Sequence, residues 1–477
     1  MRRGLITAVV TAAVSIVTVG APSALAVPSV TVDSFVDGFD GSCTDGDCSL
    51  RDAIAAVDVG GTVHVPPGFY ALSLSGTGPD AGDLDLVRPV TIVGDGESGS
   101  FLDASTLGDR VFDVAADVTL RRLTLFGGSF VDSGGNARVT AGSLRLSGAT
   151  LVDGRARDGG SVSVGLGAAL TIDRSWISGG RALGRGGALF VAGTAVVRRS
   201  TLSENRAVGG GGAYVSTSAS LSIEDSTLSG NAAVRGGGVR ATGDVDLSSS
   251  TIARNRANEG GAVLLAAASE STSASSVFDA NRSERGPGCA RGLFSLGHNV
   301  SDRRGCRFTA PTDLTGVDPG LTSLGPHGGP TPTHALRTGS PAIGRGADCG
   351  PVDQRGVPRH DCDSGAYELV LCLGRPVTIV GTPGPDEFSG GLGRDVFLGL
   401  GGSDEFQGSL NADRACGGAG ADRLIGGPGN DRLQGGSGND VLLGEAGEDV
   451  LLGGRGDDVC RGGAGSDRSR GCETVPS

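Results

Sequence analysis

Apolar residues recur at a nearly constant interval through the middle of the chain. Seven aligned positions, separated by 24 to 26 residues, are each occupied by an aliphatic residue or phenylalanine: Leu125, Leu151, Ile177, Leu202, Leu228, Ile252 and Phe278. A period of this length is typical of solenoids, in which every coil buries its apolar face against the next one. The pattern predicts one coil per repeat between residues 91 and 287.

Alternating apolar residues around each aligned position predict short strands within a coil. Leu221 and Ile223 precede Leu228 by seven and five residues, and the odd spacing requires a bend between two strands. A pair of glycines then introduces another alternating segment, in which we expect Ala188 and Phe190 to point inward. Three short strands per coil predict an all-β fold, a right-handed parallel β-helix.

Polar residues also align between the coils. Asparagine follows four of the aligned positions by three residues, and glycine follows three earlier ones: Asn205, Asn231, Asn255 and Asn281, and Gly128, Gly154 and Gly180. Asparagines stacked at one bend can bond to the backbone and to one another, which predicts a structural ladder. Ligand binding is the alternative interpretation.

Charged residues occupy a neighbouring bend. Asp173, Arg198 and Glu224 fall at one position of successive coils, and their alternating charge predicts a ladder of ion pairs. A carbohydrate site is the alternative, because pectate lyases and related β-helix enzymes pair carboxylates with a basic residue on the exterior of the helix.

A second, shorter repeat occupies the C-terminus. Ten copies of nine residues run without a break from Gly381 to Arg470, and the most regular are GGAGADRLI, GGPGNDRLQ and GGSGNDVLL in residues 417–443. Position eight is mostly apolar, and position six is aspartate in every copy: Asp386, Asp395, Asp404, Asp413, Asp422, Asp431, Asp440, Asp449, Asp458 and Asp467. Half a turn per copy predicts a parallel β-roll in which the aspartates stack along two opposite edges.

The letters of the nonapeptide have a physical explanation. Glycine permits a left-handed turn that directs carbonyl oxygens inward, and aspartate adds a hard anionic oxygen. Five like charges stacked along one edge would repel one another strongly, so a divalent cation between the turns is the natural compensation. The pattern GGxGxDxUx resembles the RTX, or haemolysin-type, calcium-binding repeats, and the resemblance implies bound Ca²⁺.

We therefore predict a set of Ca²⁺ ligands from the aspartates and from the glycines of the three most regular copies. The set is Asp386, Asp395, Asp404, Asp422, Asp431, Asp440, Asp449, Asp458 and Asp467, with Gly418, Gly420, Gly427, Gly429, Gly436 and Gly438. Asp413 is left out, because Ser409 and Asn411 replace glycines in its copy. The segment is expected to be disordered without calcium and to fold with it.

Composition and charge exclude some partners and suggest an extracellular setting. The chain has 477 residues with 87 Gly and 4% aromatic residues, which argues against one conventional globular core. Its net charge of −13 disfavours nucleic acid or anionic lipid as a partner. An apolar run from Leu5 to Val19, followed by small residues at Ala24 and Ala26, predicts a cleaved signal peptide over residues 1–26 and secretion. A retained membrane anchor is the alternative, and no other transmembrane segment is predicted in the mature chain.

Ten cysteines in a secreted chain suggest disulfides. Local spacing proposes four pairs, and the two cysteines that remain could form a fifth: Cys43 with Cys48, Cys289 with Cys306, Cys349 with Cys362, Cys460 with Cys472, and Cys372 with Cys416. Zinc is the weaker alternative, since no CxxC pair or nearby Cys/His quartet occurs.

Two segments flank the coils of the β-helix. The motif CSLRDAI in residues 48–54 resembles the CSLREAI motif at the start of secreted parallel β-helix proteins, which implies an N-terminal cap over residues 27–90. Residues 288–370 resemble the closing segment of polymorphic-membrane-protein-like, or choice-of-anchor, β-helix proteins. The predicted β-roll then occupies residues 371–477.

The closing segment holds four of the five histidines: His298, His327, His334 and His360. Asp353 and Asp361 lie in the same segment. We interpret these residues as parts of irregular capping loops, because Pro and Gly surround them, and a metal site is the alternative.

Together these features predict a secreted calcium-binding solenoid protein with a non-catalytic role in surface or matrix interaction. Cell-surface or extracellular glycans are the candidate partners, and no catalytic residue is predicted. A polysaccharide lyase or hydrolase acting on the exterior of the β-helix is the alternative, which rests on analogy of fold alone.

Overall fold

The computed structural model describes residues 29–473 except 45, 77, 79, 97–98, 267–268, 291–292 and 303–305. The predicted signal peptide, residues 1–26, lies outside the described residues. Within them, one helix, Leu50–Ala56, accompanies a long series of short strands, nearly all of them in parallel sheets. The all-β prediction is confirmed: a parallel β-helix is followed by a parallel β-roll.

Two sheets of eleven strands run the length of the β-helix, and the second carries the seven aligned positions. Sheet 1 consists of Ser29–Thr31, Thr62–Val65, Val90–Gly94, Val118–Arg121, Ser143–Ser147, Ala169–Asp173, Thr194–Arg198, Ser220–Glu224, Asp244–Ser248, Thr272–Ala274 and Phe294–Gly297. Sheet 2 consists of Gly68–Ala71, Ser100–Asp103, Leu123–Phe126, Thr150–Val152, Trp176–Ser178, Thr201–Ser203, Thr227–Ser229, Thr251–Ala253, Val277–Asp279, Val300–Ser301 and Leu314–Thr315.

Two further sheets complete the middle coils. Sheet 3 is polar and shorter, with strands Arg155–Asp158, Arg181–Arg185, Arg206–Gly209, Ala232–Arg235, Arg256–Ala257 and Arg282–Ser283. Sheet 4 consists of Leu84–Leu86, Phe112–Val114, Ala137–Val139, Val162–Val164, Leu189–Val191, Ala213–Val215, Val239–Ala241, Val263–Leu265 and Cys289–Ala290. The chain visits the sheets in numerical order and then returns to sheet 1.

The register of sheet 2 confirms the period of the apolar pattern. Leu125 pairs with Leu151, Leu151 with Ile177, and the series continues without a slip to Phe278. Each of the seven aligned side chains is 0% exposed. Stacking of identical coils therefore builds one continuous apolar core.

The prediction of three strands per coil is wrong for the middle coils, which have four. Sheet 3 was missed because its strands alternate arginine with small residues and contribute little to the core. Such a pattern carries no apolar period from which a strand can be recognised.

The prediction that Phe190 points inward is also wrong. Leu189 and Val191 fill the core, while Phe190 lies outside and stacks on Tyr214 with ring centroids 5.9 Å apart. The cause is the register: Leu189 pairs with Ala213, one residue earlier than an alignment of the paired glycines implies. Four consecutive glycines in the next coil, residues 209–212, make that alignment ambiguous.

The motif CSLRDAI forms the N-terminal cap. Ser49 is the N-cap of the helix and forms a capping box with Asp52. The buried Arg51 donates to Asp37 at 2.6 Å, and Cys48 is bonded to Cys43. Ser49 and Asp52 thus satisfy each other's backbone N–H groups, and the charge of Arg51 is paired with Asp37 within the cap.

The closing segment folds back along the outside of sheet 2. Thr227 donates to Gln354 at 2.6 Å, Ser229 bonds to His334 at 2.8 Å, and the backbone N–H of Ala366 donates to Thr251. The small polar residues that flank the aligned positions are therefore buried and paired. These contacts hold the closing segment against the middle coils of the β-helix. The β-roll follows the closing segment in the chain.

Two parallel sheets face each other in the β-roll. Sheet 5 consists of Ile379–Val380, Val396–Leu398, Arg414–Ala419, Arg432–Ser437, Val450–Arg455 and Arg468–Arg470, and sheet 6 of Glu387–Ser389, Glu405–Gln407, Arg423–Pro428, Val441–Ala446 and Val459–Ala464. A small antiparallel hairpin, Leu371–Cys372 with Arg375–Pro376, precedes them. Position eight supplies the core, as predicted, with these residues fully buried: Phe397, Phe406, Ala415, Leu424, Leu433, Leu442, Leu451 and Cys460.

All five predicted disulfides are present. Cys372 is bonded to Cys416 and Cys460 to Cys472, so one bridge lies near each end of the β-roll. Cross-links of this kind restrict the unfolded chain.

Candidate metal centre

At two positions of a central copy, the loop of the β-roll has no room for a Cβ atom. A Cβ atom at Gly435 would lie 2.2 Å from Oδ2 of Asp440 in the same copy. At Gly438 it would lie 2.0 Å from the carbonyl oxygen of Gly420 in the neighbouring turn. Glycine at these two positions therefore allows carboxylate and carbonyl oxygens to lie close together in the loop.

The aspartates form two stacks, one along each edge of the roll. In the eight aspartates from Asp404 to Asp467, one carboxylate oxygen, Oδ1, accepts the backbone N–H of the aspartate eighteen residues earlier. For example, the N–H of Asp422 donates to Asp440 at 2.9 Å and that of Asp431 to Asp449 at 2.8 Å. At the end of one stack, Glu473 takes the place of the next aspartate and accepts from the N–H of Asp458 at 2.6 Å.

The second carboxylate oxygen, Oδ2, has no donor in the central copies. In seven aspartates this atom is buried and without a hydrogen-bond partner among the described residues: Asp404, Asp413, Asp422, Asp431, Asp440, Asp449 and Asp458. A buried acceptor left unpaired is costly, and more so when it carries charge. Each central turn therefore presents an anionic oxygen that the protein itself does not satisfy.

Burial raises the pKa values of these carboxyl groups. The pKa of Asp431 rises to about 7 and that of Asp440 to about 6, mainly through desolvation, with a smaller contribution from neighbouring aspartates of the same stack. The backbone N–H bond acts in the opposite direction in each case. Burial also raises the pKa of Asp404 and Asp413 to about 6. A cation bound among these carboxylates would therefore stabilise the charged stacks at neutral pH.

The residues present fit Ca²⁺, which is a hard cation and prefers carboxylate and carbonyl oxygens. The unpaired Oδ2 atoms supply the negative charge, and the glycine carbonyls crowd against the neighbouring turn in the same loops. When bound, Ca²⁺ would supply the positive charge that each stack lacks.

Members of the predicted ligand set differ at the ends of the array. Oδ2 of Asp386 accepts from the N–H of Thr382 at 2.5 Å, and Oδ2 of Asp395 accepts from the N–H of Gly391 at 2.8 Å. Asp467 is partly exposed. These three carboxylates are less in need of a cation than the central ones.

Asp413, which the sequence interpretation leaves out, has the same unpaired oxygen as its neighbours. Ser409 and Asn411 adopt φ values of +79° and +77°, so they keep the left-handed conformation that glycine has elsewhere. The replacements therefore preserve the loop, a result that residue identity alone did not indicate.

One acidic cluster in the β-helix was missed by sequence interpretation. Asp83, Asp85 and Asp113 bring carboxylate oxygens within 4.8 Å of one another at one end of sheet 4. Arg110 pairs with Asp83 at 2.8 Å and with Asp113 at 3.2 Å, and Arg138 also pairs with Asp113. Burial raises the pKa of Asp83 to about 6. The only signal of this cluster is that Asp85 and Asp113 stand at paired positions of two neighbouring strands in sheet 4.

The charged bend is a ladder of ion pairs, as predicted. Arg199 pairs with Asp173 at 2.6 Å, and Arg198 pairs with Glu224 at 2.9 Å. Arg174 also pairs with Asp173, so two guanidinium groups share that carboxylate.

The asparagine ladder is confirmed as well. The side-chain amide of Asn205 donates to Oδ1 of Asn231 at 2.9 Å, and Asn231 donates to Asn255 in the same way. The backbone N–H of Asn205 donates to the same oxygen at 3.0 Å. All of these groups are buried and satisfied.

The histidines of the closing segment make local hydrogen bonds. His334 is buried between Ser229 and the carbonyl oxygen of Thr322, and burial lowers its pKa to about 4. His298 bonds to the carbonyl oxygen of Arg345. These contacts support the structural interpretation.

Comparisons with solved structures give low similarity. The chain is 15% identical to the pectate lyase Pel9A, with 72% of this chain and 97% of that chain covered and a TM-score of 0.37. The chain is 11% identical to a PL6 family alginate lyase, with 91% of this chain and 76% of that chain covered and a TM-score of 0.25. It is 16% identical to the catalytic unit of a GH87 α-1,3-glucanase from Streptomyces thermodiastaticus, with 94% of this chain and 70% of that chain covered and a TM-score of 0.27.

A search of curated protein sequences gives no match. Among the described residues, none of the helices has the length and apolar character needed to cross a bilayer.

The C-terminal nonapeptides match a family profile. Four overlapping matches to the RTX calcium-binding nonapeptide repeat cover residues 378–406, 407–442, 417–451 and 434–468. They span the copies in which the seven unpaired carboxylate oxygens lie. Residues 378–468 are therefore RTX calcium-binding nonapeptide repeats.

Proposed function

We propose that the protein is secreted, that calcium folds its β-roll outside the cell, and that the β-helix serves as a rigid, non-catalytic surface for contact with extracellular or cell-surface glycans. The observation that carries the calcium step is the set of seven buried carboxylate oxygens without a donor, which lie in the two stacks. A stack of this kind is unfavourable at neutral pH until a cation enters it.

Secretion is supported by three observations. The N-terminal 26 residues have the composition of a signal peptide, all ten cysteines are paired, and RTX repeats are typical of secreted proteins. Extracellular modules bind calcium at roughly 0.1 to 1 mM, so the array would load only after export. The resemblance of CSLRDAI and the closing segment to choice-of-anchor proteins agrees with this setting.

A glycan-binding role without turnover is favoured by the chemistry of the bends. Asp173 and Glu224, the carboxylates that an enzyme would need at this position, are bound to arginines. The second candidate function, a polysaccharide lyase or hydrolase, is favoured by the carboxylate cluster with Asp83, whose raised pKa suits a general acid.

One experiment separates the two candidates. The purified protein is incubated with immobilised acidic and neutral polysaccharides at about 2 mM Ca²⁺, above the range just given. Both retention and release of reducing or unsaturated ends are measured. Retention without product supports the proposal. Product formation that Asp83→Asn abolishes, and that Asp246→Asn on another face leaves unchanged, would establish the enzymatic alternative.

A further inference from the structure

The β-helix, the closing segment and the start of the β-roll enclose a cleft of about 790 Å³. Its floor is the bend between sheets 1 and 2, with Arg121 and Arg122 from one coil, and Arg174 and Arg199 from the second and third coils after it. One wall is the closing segment around residues 326–330 and 355–356, and the other is residues 378–383 with Phe388 of the β-roll. We call this space the junction cleft.

The walls are held in place by specific contacts. Gln354 donates to Thr201 at 2.8 Å, which fixes the closing segment beside the coil of Arg199. A Cβ atom at Gly328 would lie 2.8 Å from a methyl group of Val380, so the closing segment and the roll are in direct contact. The cleft is therefore complete only when the first copies of the roll are folded.

The floor of the junction cleft is strongly cationic. Arg121 and Arg122 are exposed, and neither side chain has an ion pair or hydrogen bond among the described residues. Arg174 and Arg199 share the single carboxylate of Asp173. Four cations thus face one anion, on a protein whose net charge is −13. Such a concentration of unpaired positive charge in a concave site favours an anionic ligand.

The backbone at this bend makes the arginines costly. Arg122, Arg174 and Arg199 have φ values of +52°, +46° and +46°, in the left-handed region that disfavours residues with a side chain. Gly148 occupies the same bend in the coil between Arg122 and Arg174 and shows that glycine is accepted there. Asp225, Ser249 and Ser275 adopt the same conformation at this bend in the later coils, so the conformation belongs to the coil. Arginine stands at this bend in the coils that line the cleft.

We propose that the junction cleft binds an acidic polysaccharide through its carboxylate or sulfate groups, and that calcium controls this binding by folding the roll that forms one wall. This inference rests on the proposed extracellular function and names its ligand. Successive coils lie ~4.8 Å apart, close to the length of one sugar ring in an extended chain. Arg174 and Arg199, in adjacent coils, can therefore meet charges carried by neighbouring sugars, and Arg121 and Arg122, two coils from Arg174, can meet a charge on a sugar further along the chain.

The remaining lining suits a sugar rather than a more densely charged polymer. Pro326, Pro330, Ile379, Pro383 and Phe388 offer apolar surface to the C–H faces of sugar rings. A nucleic acid would extend beyond the four arginines onto a surface of opposite charge, which the net charge disfavours.

The test uses the full secreted chain and two labelled probes, a short oligogalacturonide for carboxylates and a dextran sulfate oligomer for sulfates, with neutral dextran as the reference. Dissociation constants are measured in calcium for the wild type and for Arg121→Gln/Arg122→Gln. The matched control is Arg155→Gln/Arg157→Gln, which removes the same charge from exposed residues of sheet 3. A third variant, Asp404→Ala/Asp422→Ala, impairs the roll in the same buffer.

We expect at least one probe to bind. The cleft variant should weaken that binding about tenfold or more, since two charged contacts are lost, whereas the control should change it less than twofold. The roll variant should weaken it as strongly as the cleft variant. Loss in the carboxylate arm, the sulfate arm or both identifies the source of the anionic groups.

Three outcomes would overturn the inference. One is equal weakening in the cleft and control variants, which would indicate attraction by overall charge. Another is undiminished binding by the roll variant. The third is no binding of either probe by a protein whose roll is folded in calcium, a result that leaves the calcium loading of the proposed function intact.

Discussion

Two ladders of stacked side chains in this molecule satisfy the same backbone group with different chemistry. In the β-helix the N–H of Asn205 donates to Oδ1 of Asn231 at 3.0 Å, and in the roll the N–H of Asp422 donates to Oδ1 of Asp440 at 2.9 Å. The amide of Asn205 then donates to Asn231 as well, which closes the ladder. Aspartate has no such donor, and Oδ2 of Asp440 is left buried and unpaired.

The difference explains why one solenoid is self-sufficient and the other depends on an ion. A neutral amide both donates and accepts, so every group in the asparagine stack is paired within the protein. A carboxylate only accepts hydrogen bonds, and burial and the neighbouring carboxylates destabilise its charged form. Each further aspartate copy therefore adds demand for a cation, which couples folding of the roll to calcium concentration.

The largest effect on this comparison is expected from truncating one side chain in each ladder. Asp440→Ala removes a central anionic oxygen, so the calcium concentration at the folding midpoint of the roll should rise about 10- to 100-fold. Asn255→Ala should leave that midpoint unchanged and lower the stability of the β-helix by about 1 to 3 kcal/mol, because buried partners lose a hydrogen bond. Calcium titrations followed by circular dichroism, with thermal unfolding, measure both. Equal shifts of the calcium midpoint would contradict the distinction between the ladders.

A second test converts one ladder into the other. Replacing Asp404, Asp422, Asp440 and Asp458 by asparagine gives one edge of the roll an amide donor in the geometry that the β-helix already uses. We expect more strand signal in chelator than the wild type shows, together with weaker calcium binding. If the variant still needs as much calcium as the wild type to fold, the unpaired oxygen is not the cause of the dependence.

A smaller effect is expected from pH in the presence of chelator. The pKa of Asp431 lies at about 7 in the folded roll, above the ordinary value of 3.8, so protonation favours the folded state. This stabilisation is complete below about pH 4 and is lost as the pH rises through 6 to 7. Acidification from pH 8 to pH 5 should therefore increase the strand content of the roll.

The β-helix provides an internal reference for that measurement. Trp176, the one tryptophan of the chain, donates to Ser203 in sheet 2, so its fluorescence reports the coils alone. Its emission should remain constant over the same pH range. A roll that loses strand content on acidification would show that burial does not control these carboxyl groups.

The predictable features were those that repeat along the chain. Examples are the apolar positions of Leu125 and Leu151, the asparagine stack and the aspartate at position six. Each recurs at a fixed interval, so the residue that pairs with it lies one coil further along the sequence. Sheet 3 was missed because its arginine-rich strands lack an apolar period, and Phe190 was misplaced because neighbouring glycines blurred the register.

Features formed by distant segments could not be predicted. The closing segment returns to the outside of sheet 2 through contacts such as Gln354 with Thr201, which lie 153 residues apart. The junction cleft depends on that return, and the cluster of Asp83 with Arg110 depends on packing between coils. No local pattern in the sequence predicts such contacts between distant residues.

Hydrogen exchange of the full chain at pH 7.5, in calcium and in chelator, tests the central claim most directly. The account predicts that amides of residues 399–461 are protected in calcium and exchange freely in chelator, while those of residues 123–281 are protected equally in both. Protection of the roll in chelator, or a parallel loss in the β-helix, would contradict it.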